Sequence, residues 1–150
     1  MKTSNTGIDL IKRFEGFSST PYLCPAGYLT IGYGHVVKES HMEVSEAEAE
    51  NLLRIDVRIA EQAVMRLISV QLTQHQFDAL VSFTFNLGAG ALQRSTLRRK
   101  VNAGGHGAVP QELSKWVFAG GKRLLGLVSR RRAEAELYMK NSVLHAGGAG

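Results

Sequence analysis

The sequence predicts an α+β protein that is mainly helical and carries one small β-sheet near its N-terminus. Two capping boxes, at residues 45–48 and 73–76, each open a segment with apolar residues at helical spacing. The segment 22–37 instead combines turn signals with strand-forming residues and glycines. A chain of 150 residues suits one domain, or two small lobes that share a core.

Composition narrows the class of protein. The chain is 44% hydrophobic and 21% charged, as in an ordinary globular domain. Its single cysteine, Cys24, excludes an intramolecular disulfide. The sequence has no run of 18 apolar residues and no apolar secretory-signal core near its start. We therefore expect either accumulation in the cytosol or export through a segment outside this sequence.

The net charge indicates an anionic partner or substrate. The chain has 18 basic and 13 acidic residues, a formal charge of +5 and a pI near 9.6. Candidate partners are nucleic acid, an acidic membrane surface and a cell-wall polymer. The alternative is a solvated basic face that only prevents self-association. Basic residues crowd the C-terminal half, at Arg94, Arg98, Arg99, Lys100, Lys115, Lys122, Arg123, Arg130, Arg131 and Arg132.

The first helix is predicted at 6–14. Ile8, Ile11 and Phe14 repeat at helical spacing, polar residues precede them, and Gly16 ends the run. The next segment, 22–37, is predicted to be a short twisted antiparallel ribbon. Its glycines would let a ligand or another backbone approach closely.

A long helix is predicted from the first capping box to about Ile68, and its length would let it connect two lobes. The second capping box opens a helix at 77–87 that is apolar on nearly all sides, so we expect it to be the central buried helix. The sequence Gly88-Ala89-Gly90 is expected to end that helix. The remaining predicted elements are helices at 95–102, 110–118 and 127–139 and a frayed tail at 146–150.

Glu15 is the candidate catalytic residue. It lies in the last turn of the first helix, where the helix dipole disfavours a carboxylate, and Phe14 and Phe17 would desolvate it. Both effects would raise its pKa, as a general acid near neutral pH requires. The alternative is a solvent-facing glutamate that tolerates an unfavourable position.

Arg131 is predicted to face inward, because it shares helical spacing with the apolar residues Leu124, Val128, Ala135 and Tyr138. A buried arginine needs a carboxylate partner, and Glu15 is the preferred candidate. Arg130 is the less favoured partner for Glu15. The ordinary alternative is that Glu134 pairs with Arg130 on the surface.

A second catalytic group is less evident. A general acid usually works with a second group that acts as base or nucleophile, often another carboxylate, but residues 16–38 contain no Asp or Glu. The ribbon offers Cys24 and, one strand step onward, Thr30. A thiol of ordinary pKa is only a few per cent ionised at pH 7, so Cys24 could act as a base only if its pKa were lowered. From the residues alone, a small buried hydrophobe at a turn is the favoured interpretation of Cys24.

Other candidate residues have structural interpretations. The histidines show no zinc-ligand spacing, so no metal site is predicted. We expect His35 to hydrogen-bond a carboxylate and His75 to be a surface residue in a first helical turn. Trp116 and Tyr138 are expected to pack in the core rather than against a sugar.

The spacing of the N-terminal motif resembles that of the phage-type lysozymes, the endolysins of glycoside hydrolase family 24. Eight residues separate Glu15 from Cys24, and five more separate Cys24 from Thr30, which opens Thr-Ile-Gly-Tyr-Gly-His. The family has Asp or Cys at the second position. Similarity extends over about residues 8–138, through the blocks 85–90, 95–97, Trp116, 120–122 and 130–132.

The resemblance implies a lysozyme-like fold and hydrolysis of the β-1,4 bond between N-acetylmuramic acid and N-acetylglucosamine in peptidoglycan, for host cell lysis. It implies that Glu15 is the general acid, that Cys24 replaces an aspartate, and that Thr30 positions water or stabilises charge. We expect Cys24 to be a base for water, with inversion, because thiolate attack would give a thioglycoside. The implied substrate-binding residues are His35, Val36, Phe85 and Thr96.

The resemblance also implies one lysozyme domain over 1–150. A sheet lobe at about 16–44 and a helical lobe at 1–15 and 70–145 would be joined by a helix at 45–69. Arg131 and Arg130 would support the site, and no cofactor or metal is implied. The expected partners are peptidoglycan and anionic envelope polymers, not nucleic acid, and the expected state is a monomer. The protein would act in the periplasm or cell wall after release from the host cytoplasm.

Two other functions remain open at this stage. A lytic transglycosylase would use Glu15 without a second acid and release an anhydro-sugar end, and the missing aspartate favours this runner-up. A nucleic-acid-binding domain built on the basic segments 98–100 and 130–132 would explain the charge but not the motif at 30–35.

Overall fold

The computed structural model describes residues 1–140. The predicted α+β class is confirmed: the described part has seven α-helices, a three-stranded antiparallel sheet and a two-stranded ribbon. The tail predicted at 146–150 lies outside the described residues.

Helix α1 spans Asn5–Glu15, one residue longer at each end than predicted. The Ser4 side chain caps its N-terminus by accepting the backbone N–H of Gly7. Gly16, at φ 73°, ends the helix, and its N–H donates to the carbonyl of Lys12. Glu15 is therefore the last helical residue.

The small sheet has strands β1 (Ser18–Leu23), β2 (Leu29–Gly32) and β3 (His35–Val36), in that order and all antiparallel. The predicted ribbon is confirmed, but its first strand begins earlier, where Ser18 pairs with Gly32. The register shifts between Ser18 and Tyr22, which interrupts the alternation that marks a strand in a sequence.

Helix α2 spans Glu46–Leu67 and α3 spans Gln74–Leu87. Both predicted capping boxes are present, on Ser45 with Glu48 and on Thr73 with Gln76. Helix α2 contacts β2 and β3 on one side and α3 on the other, so it connects the sheet to the helices. All residues from Phe77 to Thr84 are buried, which confirms α3 as the central helix.

The C-terminal part differs from the prediction in three places. Gly88 ends α3, but α4 (Ala89–Arg94) follows at once, before the predicted α5 (Thr96–Asn102). A 3-10 turn at His106–Ala108 precedes α6 (Val109–Leu113), so the helix expected at 110–118 ends early. Strands β4 (Phe118–Ala119) and β5 (Lys122–Arg123) form the extra ribbon, too short to show alternation, and α7 is Leu125–Met139.

The core surrounds α3, which packs against α1, α2, α4 and α7. Its largest apolar members include Ile8, Ile11, Leu53, Phe77, Leu80 and Phe83, each at most 1% exposed. Fully burying one such side chain contributes roughly 1.5–3 kcal/mol. This packing fixes the C-terminal end of α1 against α3 and α7, and so it fixes the position of Glu15.

Candidate active site

The Glu15 side chain lies between the small sheet and the C-terminal helix. Its Oε2 accepts a hydrogen bond from Arg130 Nη1 at 2.7 Å. Its Oε1 lies 3.2 Å from where a Cβ on Gly34 would be, in the turn between β2 and β3. Gly34 has a φ of 89°, and the missing side chain lets the carboxyl reach the sheet. The Glu15 side chain is 23% exposed, so solvent and a substrate can reach it.

Glu15 borders an open pocket of about 370 Å³. The end of α1, the end of α3 and the start of α7 form its walls, through Phe14, Glu15, Asn86, Leu124, Gly126, Leu127 and Arg130. Glu15, Asn86 and Arg130 place a carboxyl, an amide and a guanidinium in one pocket, and such convergent polar groups are typical of a site that orients a ligand.

Arg130, not Arg131, is the partner of Glu15, so the preferred pairing from the sequence is wrong. Both arginines face inward, with side chains 4% and 1% exposed. Successive helical residues point about 100° apart, so α7 directs Arg130 toward α1 and Arg131 toward α3. The Arg130 guanidinium also lies 5.8 Å from the Phe14 ring centroid, which restricts its orientation.

Glu134 is the buried counter-charge of both arginines, not a surface partner of Arg130. Its side chain is 0% exposed, and its Oε1 lies 2.8 Å from Arg131 Nε. Its Oε2 accepts from Ser82 Oγ at 2.6 Å and lies 3.4 Å from Arg130 Nε. Burial raises the pKa of Glu134, and the guanidinium of Arg131 opposes that rise. Burial likewise lowers the pKa of Arg131.

Sequence reasoning missed the central role of Glu134, and it missed Ser82 and Asn86. Glu134 stands three and four residues after the two arginines, a spacing that allows contact with both on one helix. Asn86 Oδ1 accepts from Arg131 Nη2 at 2.6 Å and lines the Glu15 pocket. No signal in the sequence identified Ser82, because its partner lies 52 residues away.

Cys24 and Thr30 lie together on the β1–β2 hairpin. The backbone N–H of Cys24 and the hydroxyl of Thr30 both donate to the carbonyl of Tyr28, each at 2.9 Å. Thr30 is buried and Cys24 is partly exposed, so Cys24 is not a buried hydrophobe. The pKa of Cys24 is lowered, first by the backbone N–H of Tyr28 and then by the amides of the turn and the Thr30 hydroxyl.

The four predicted substrate-binding residues lie outside the set that lines the Glu15 pocket. His35 Nδ1 lies 2.8 Å from Asp56 Oδ2 on α2, which confirms its expected carboxylate partner. Val36 is 56% exposed and pairs with Thr30 in the sheet. Phe85 packs partly buried against the core, and Thr96 accepts from the Arg99 guanidinium at 2.9 Å.

The other sequence expectations concern aromatic and histidine side chains. Tyr138 is 2% exposed and hydrogen-bonds His106, while Trp116 packs edge-on against Phe83 at 5.5 Å, so both belong to the core as expected. His75 lies in the first turn of α3 but is partly buried rather than on the surface.

Two further observations concern residues 1–140. In this range, no three side chains of His, Cys, Asp or Glu cluster closely enough to hold a metal ion. None of the helices described there combines the length and apolarity needed to cross a membrane.

A small antiparallel sheet joined by a long helix to a helical bundle, with a glutamate at the end of the first helix facing the sheet, defines the lysozyme-like class of proteins. The family model described as "Phage lysozyme" matches residues 12–134. The chain therefore belongs to the phage lysozyme family.

Individual relatives agree with this assignment. The chain is similar to an endolysin of Bacillus phage B103, with 46% identity over 93% of this chain and 54% of the relative. It is also similar to an endolysin of Acyrthosiphon pisum secondary endosymbiont phage 1, with 41% identity over 92% of this chain and 98% of the relative. The muramidase domain of SpmX from Asticaccaulis excentricus superimposes with a TM-score of 0.87 at 38% identity, over 93% and 99% of the two chains.

Relatives differ in length. The chain spans about half the length of two Bacillus phage endolysins that it matches, those of phages B103 and PZA.

Proposed function

We propose that this protein is an endolysin that hydrolyses the β-1,4 bond between N-acetylmuramic acid and N-acetylglucosamine in bacterial peptidoglycan. Membership of the phage lysozyme family supports this proposal, as do relatives named endolysin and muramidase. The observation that carries it is the Glu15 carboxyl, held by Arg130 at the edge of an open pocket and against the sheet that bears Cys24 and Thr30.

Glu15 is proposed as the general acid. As the glycosidic bond breaks, its carboxyl proton moves to the leaving oxygen and Glu15 becomes a carboxylate. The Arg130 guanidinium, 2.7 Å from Oε2, then stabilises that negative charge and holds the carboxyl in a single orientation. Arg131 supports the site indirectly, because it donates a hydrogen bond to Asn86, and Asn86 lines the Glu15 pocket.

Cys24 is proposed as the base for the attacking water. Its thiolate takes one water proton while the water oxygen forms the new bond to the anomeric carbon, on the face opposite to the leaving oxygen. The lowered thiol pKa favours this role, and the buried Thr30 hydroxyl positions the water or stabilises charge nearby. Because water attacks in a single displacement on the face opposite to the leaving oxygen, the reaction inverts the anomeric configuration, while Glu15 releases one proton and Cys24 takes one up.

The remaining assignments follow from the family pattern. We propose that His35, Val36, Phe85 and Thr96 contact the bound glycan outside the Glu15 pocket. The chain is proposed to form a single lysozyme domain over 1–150, with a sheet lobe at about 16–44, a connecting helix at 45–69 and a helical lobe at 1–15 and 70–145; the part of this proposal beyond residue 140 lies outside the described residues.

The basic residues are proposed to attract the protein to anionic envelope polymers, where it works as a monomer on the cell wall after release from the host cytoplasm. If this is correct, the rate of wall lysis falls as ionic strength rises, because screening weakens long-range attraction. An unchanged rate between low and high salt would contradict electrostatic attraction.

Product analysis tests the reaction. Purified peptidoglycan is digested and its new sugar ends are identified by mass spectrometry. Hydrolysis gives reducing muramic acid ends, whereas a lytic transglycosylase gives anhydro ends that are lighter by one water. Glu15→Gln should abolish both products and leave wall binding intact, while the exposed control Glu39→Gln should behave like the wild type. Full activity of Glu15→Gln would refute the proposed function.

A further inference from the structure

We infer that Glu134 is a positioning residue for the general acid: it balances the charge of two buried arginines, and so limits how strongly Arg130 attracts the Glu15 carboxylate. Glu134 acts through Arg130 and does not touch the substrate. The inference rests on the proposed role of Glu15 as the general acid.

A continuous chain of contacts connects the two glutamates. Glu134 Oε2 lies 3.4 Å from Arg130 Nε, and the opposite end of the same guanidinium donates to Glu15 Oε2 at 2.7 Å. Ser82 fixes the arrangement from α3, because its hydroxyl donates to Glu134 at 2.6 Å and its carbonyl lies 3.3 Å from Arg130 Nη2. Arg131 adds a second cation, 2.8 Å from the other oxygen of Glu134.

The charges of these groups decide how strongly Glu15 is ionised. With Glu134 ionised, it and the two arginines together carry +1, and the Glu15 carboxylate would neutralise them. Without the charge of Glu134 the same site would carry +2, and Glu15 would be its only anion. Arg130, Arg131 and Glu134 are at most 4% exposed, so solvent screens this difference weakly.

Within the described residues, few helices and strands contribute charged or polar contacts to Glu15 and Glu134. Arg130 and Arg131 on α7 face Glu134, and α3 faces it with the neutral Ser82. Arg130 alone forms an ion pair with Glu15, and the sheet faces it with Gly34. A change at Glu134 therefore reaches Glu15 mainly through Arg130.

The first test measures the titration of Glu15 directly, by 13C NMR of its side-chain carboxyl, with Glu15→Gln to assign the signal. Glu134→Gln keeps the shape of the side chain and removes its charge. The Glu15 midpoint should move down by about one pH unit. The control is Glu136→Gln, an exposed residue two positions further along the same helix, which should leave the midpoint unchanged. Equal midpoints in these two variants would overturn the inference.

A second pair of variants separates charge from structure. Arg131→Met combined with Glu134→Gln restores a net charge of +1, carried by Arg130 alone, and the Glu15 midpoint should return toward the wild-type value. A midpoint as low as in Glu134→Gln would show that charge balance is not the cause. If Glu134→Gln does not fold, Arg131→Met alone lowers the net charge to zero, and the Glu15 midpoint should rise. A fall or no change would then overturn the inference.

Activity gives an independent readout. The limb of the pH–rate profile that reports Glu15 should move with the NMR midpoint in each variant. If the midpoint moves but the wild type releases no muramic acid ends, the charge coupling stands and the proposed function fails. If the wild type releases muramic acid ends and the midpoint does not move, the proposed function stands and the charge coupling fails.

Discussion

Replacing Arg130 with lysine tests the contact on which the site depends. Lysine keeps the positive charge but cannot bridge several acceptors as the guanidinium does. Arg130 Nη1 contacts Glu15 at 2.7 Å, and its other nitrogens reach Glu134 and Ser82 at 3.3–3.4 Å. The lysine can keep one of these contacts, so at least one hydrogen bond to a charged group is lost.

One hydrogen bond to a charged group contributes about 1.5–3 kcal/mol, and partial exposure of Glu15 reduces that value. We therefore expect Arg130→Lys to lower the free energy of unfolding by about 2 kcal/mol. Because the Glu15 carboxyl would no longer be fixed in one orientation, kcat should fall about 10-fold to 100-fold with little change in KM. Urea unfolding followed by circular dichroism gives the first quantity, and digestion of soluble peptidoglycan gives the second.

Arg132 provides the matched control, because it lies on the same helix and its side chain is exposed. Arg132→Lys should change stability by less than about 0.5 kcal/mol and leave kcat unaltered. If Arg130→Lys unfolds at the same urea concentration and turns over at the same rate as this control, the proposed support of Glu15 by Arg130 is wrong.

Three more predictions follow from individual contacts. Cys24→Asp should keep activity, resist thiol alkylation and move the pH–rate limb that reports the base downward, since aspartate ionises at lower pH than a thiol. An active variant whose pH–rate limb stays where it is in the wild type would exclude a base at this position. Gly7→Ala should lower the free energy of unfolding by about 1–3 kcal/mol, because a Cβ there would lie 2.6 Å from Thr3 and 2.8 Å from Asp78. The control is Gly107→Ala, whose added Cβ would meet no atom within 4 Å and should leave thermal unfolding unchanged. Glu50 has a pKa lowered by its hydrogen bond to Lys12, so its small stabilising contribution is present above the ordinary glutamate pKa and is lost as pH falls through the lowered value. In urea unfolding, Glu50→Gln and the wild type should differ at pH 7 and converge as the pH falls below the lowered pKa, and a difference that stays constant with pH would refute this.

Local signals in the sequence were sufficient to predict most of the helices. Side-chain caps at Ser45 and Thr73 fix where α2 and α3 begin, because they satisfy backbone N–H groups that no helix can pair by itself. The all-round apolar character of 77–87 predicted the buried central helix for a similar reason, since only the interior accepts such a surface. The two-residue strands β4 and β5 were missed, because hydrophobic alternation needs more residues to become visible.

The part of the candidate site whose residues are close together in the sequence was predictable. The intervals between Glu15, Cys24 and Thr30 are set by one helix end and one hairpin, and the structure places the last two on the same hairpin. The inward direction of Arg131 was also visible, as a charged residue on an apolar stripe. Its neighbour Arg130 lay off that stripe, yet it is equally buried.

The sequence by itself determined the fold class, the central helix and the position of the candidate acid at the end of α1, because caps, helical periodicity and turn residues act over a few neighbouring positions. Only the tertiary structure decided that Arg130 rather than Arg131 holds Glu15, and that Glu134 lies buried between the two. Arg130 and Glu15 are 115 residues apart, and their contact depends on how α7 is rotated as it packs against α1 and α3. That rotation results from the packing of the whole core, and no local pattern of charge or hydrophobicity encodes it.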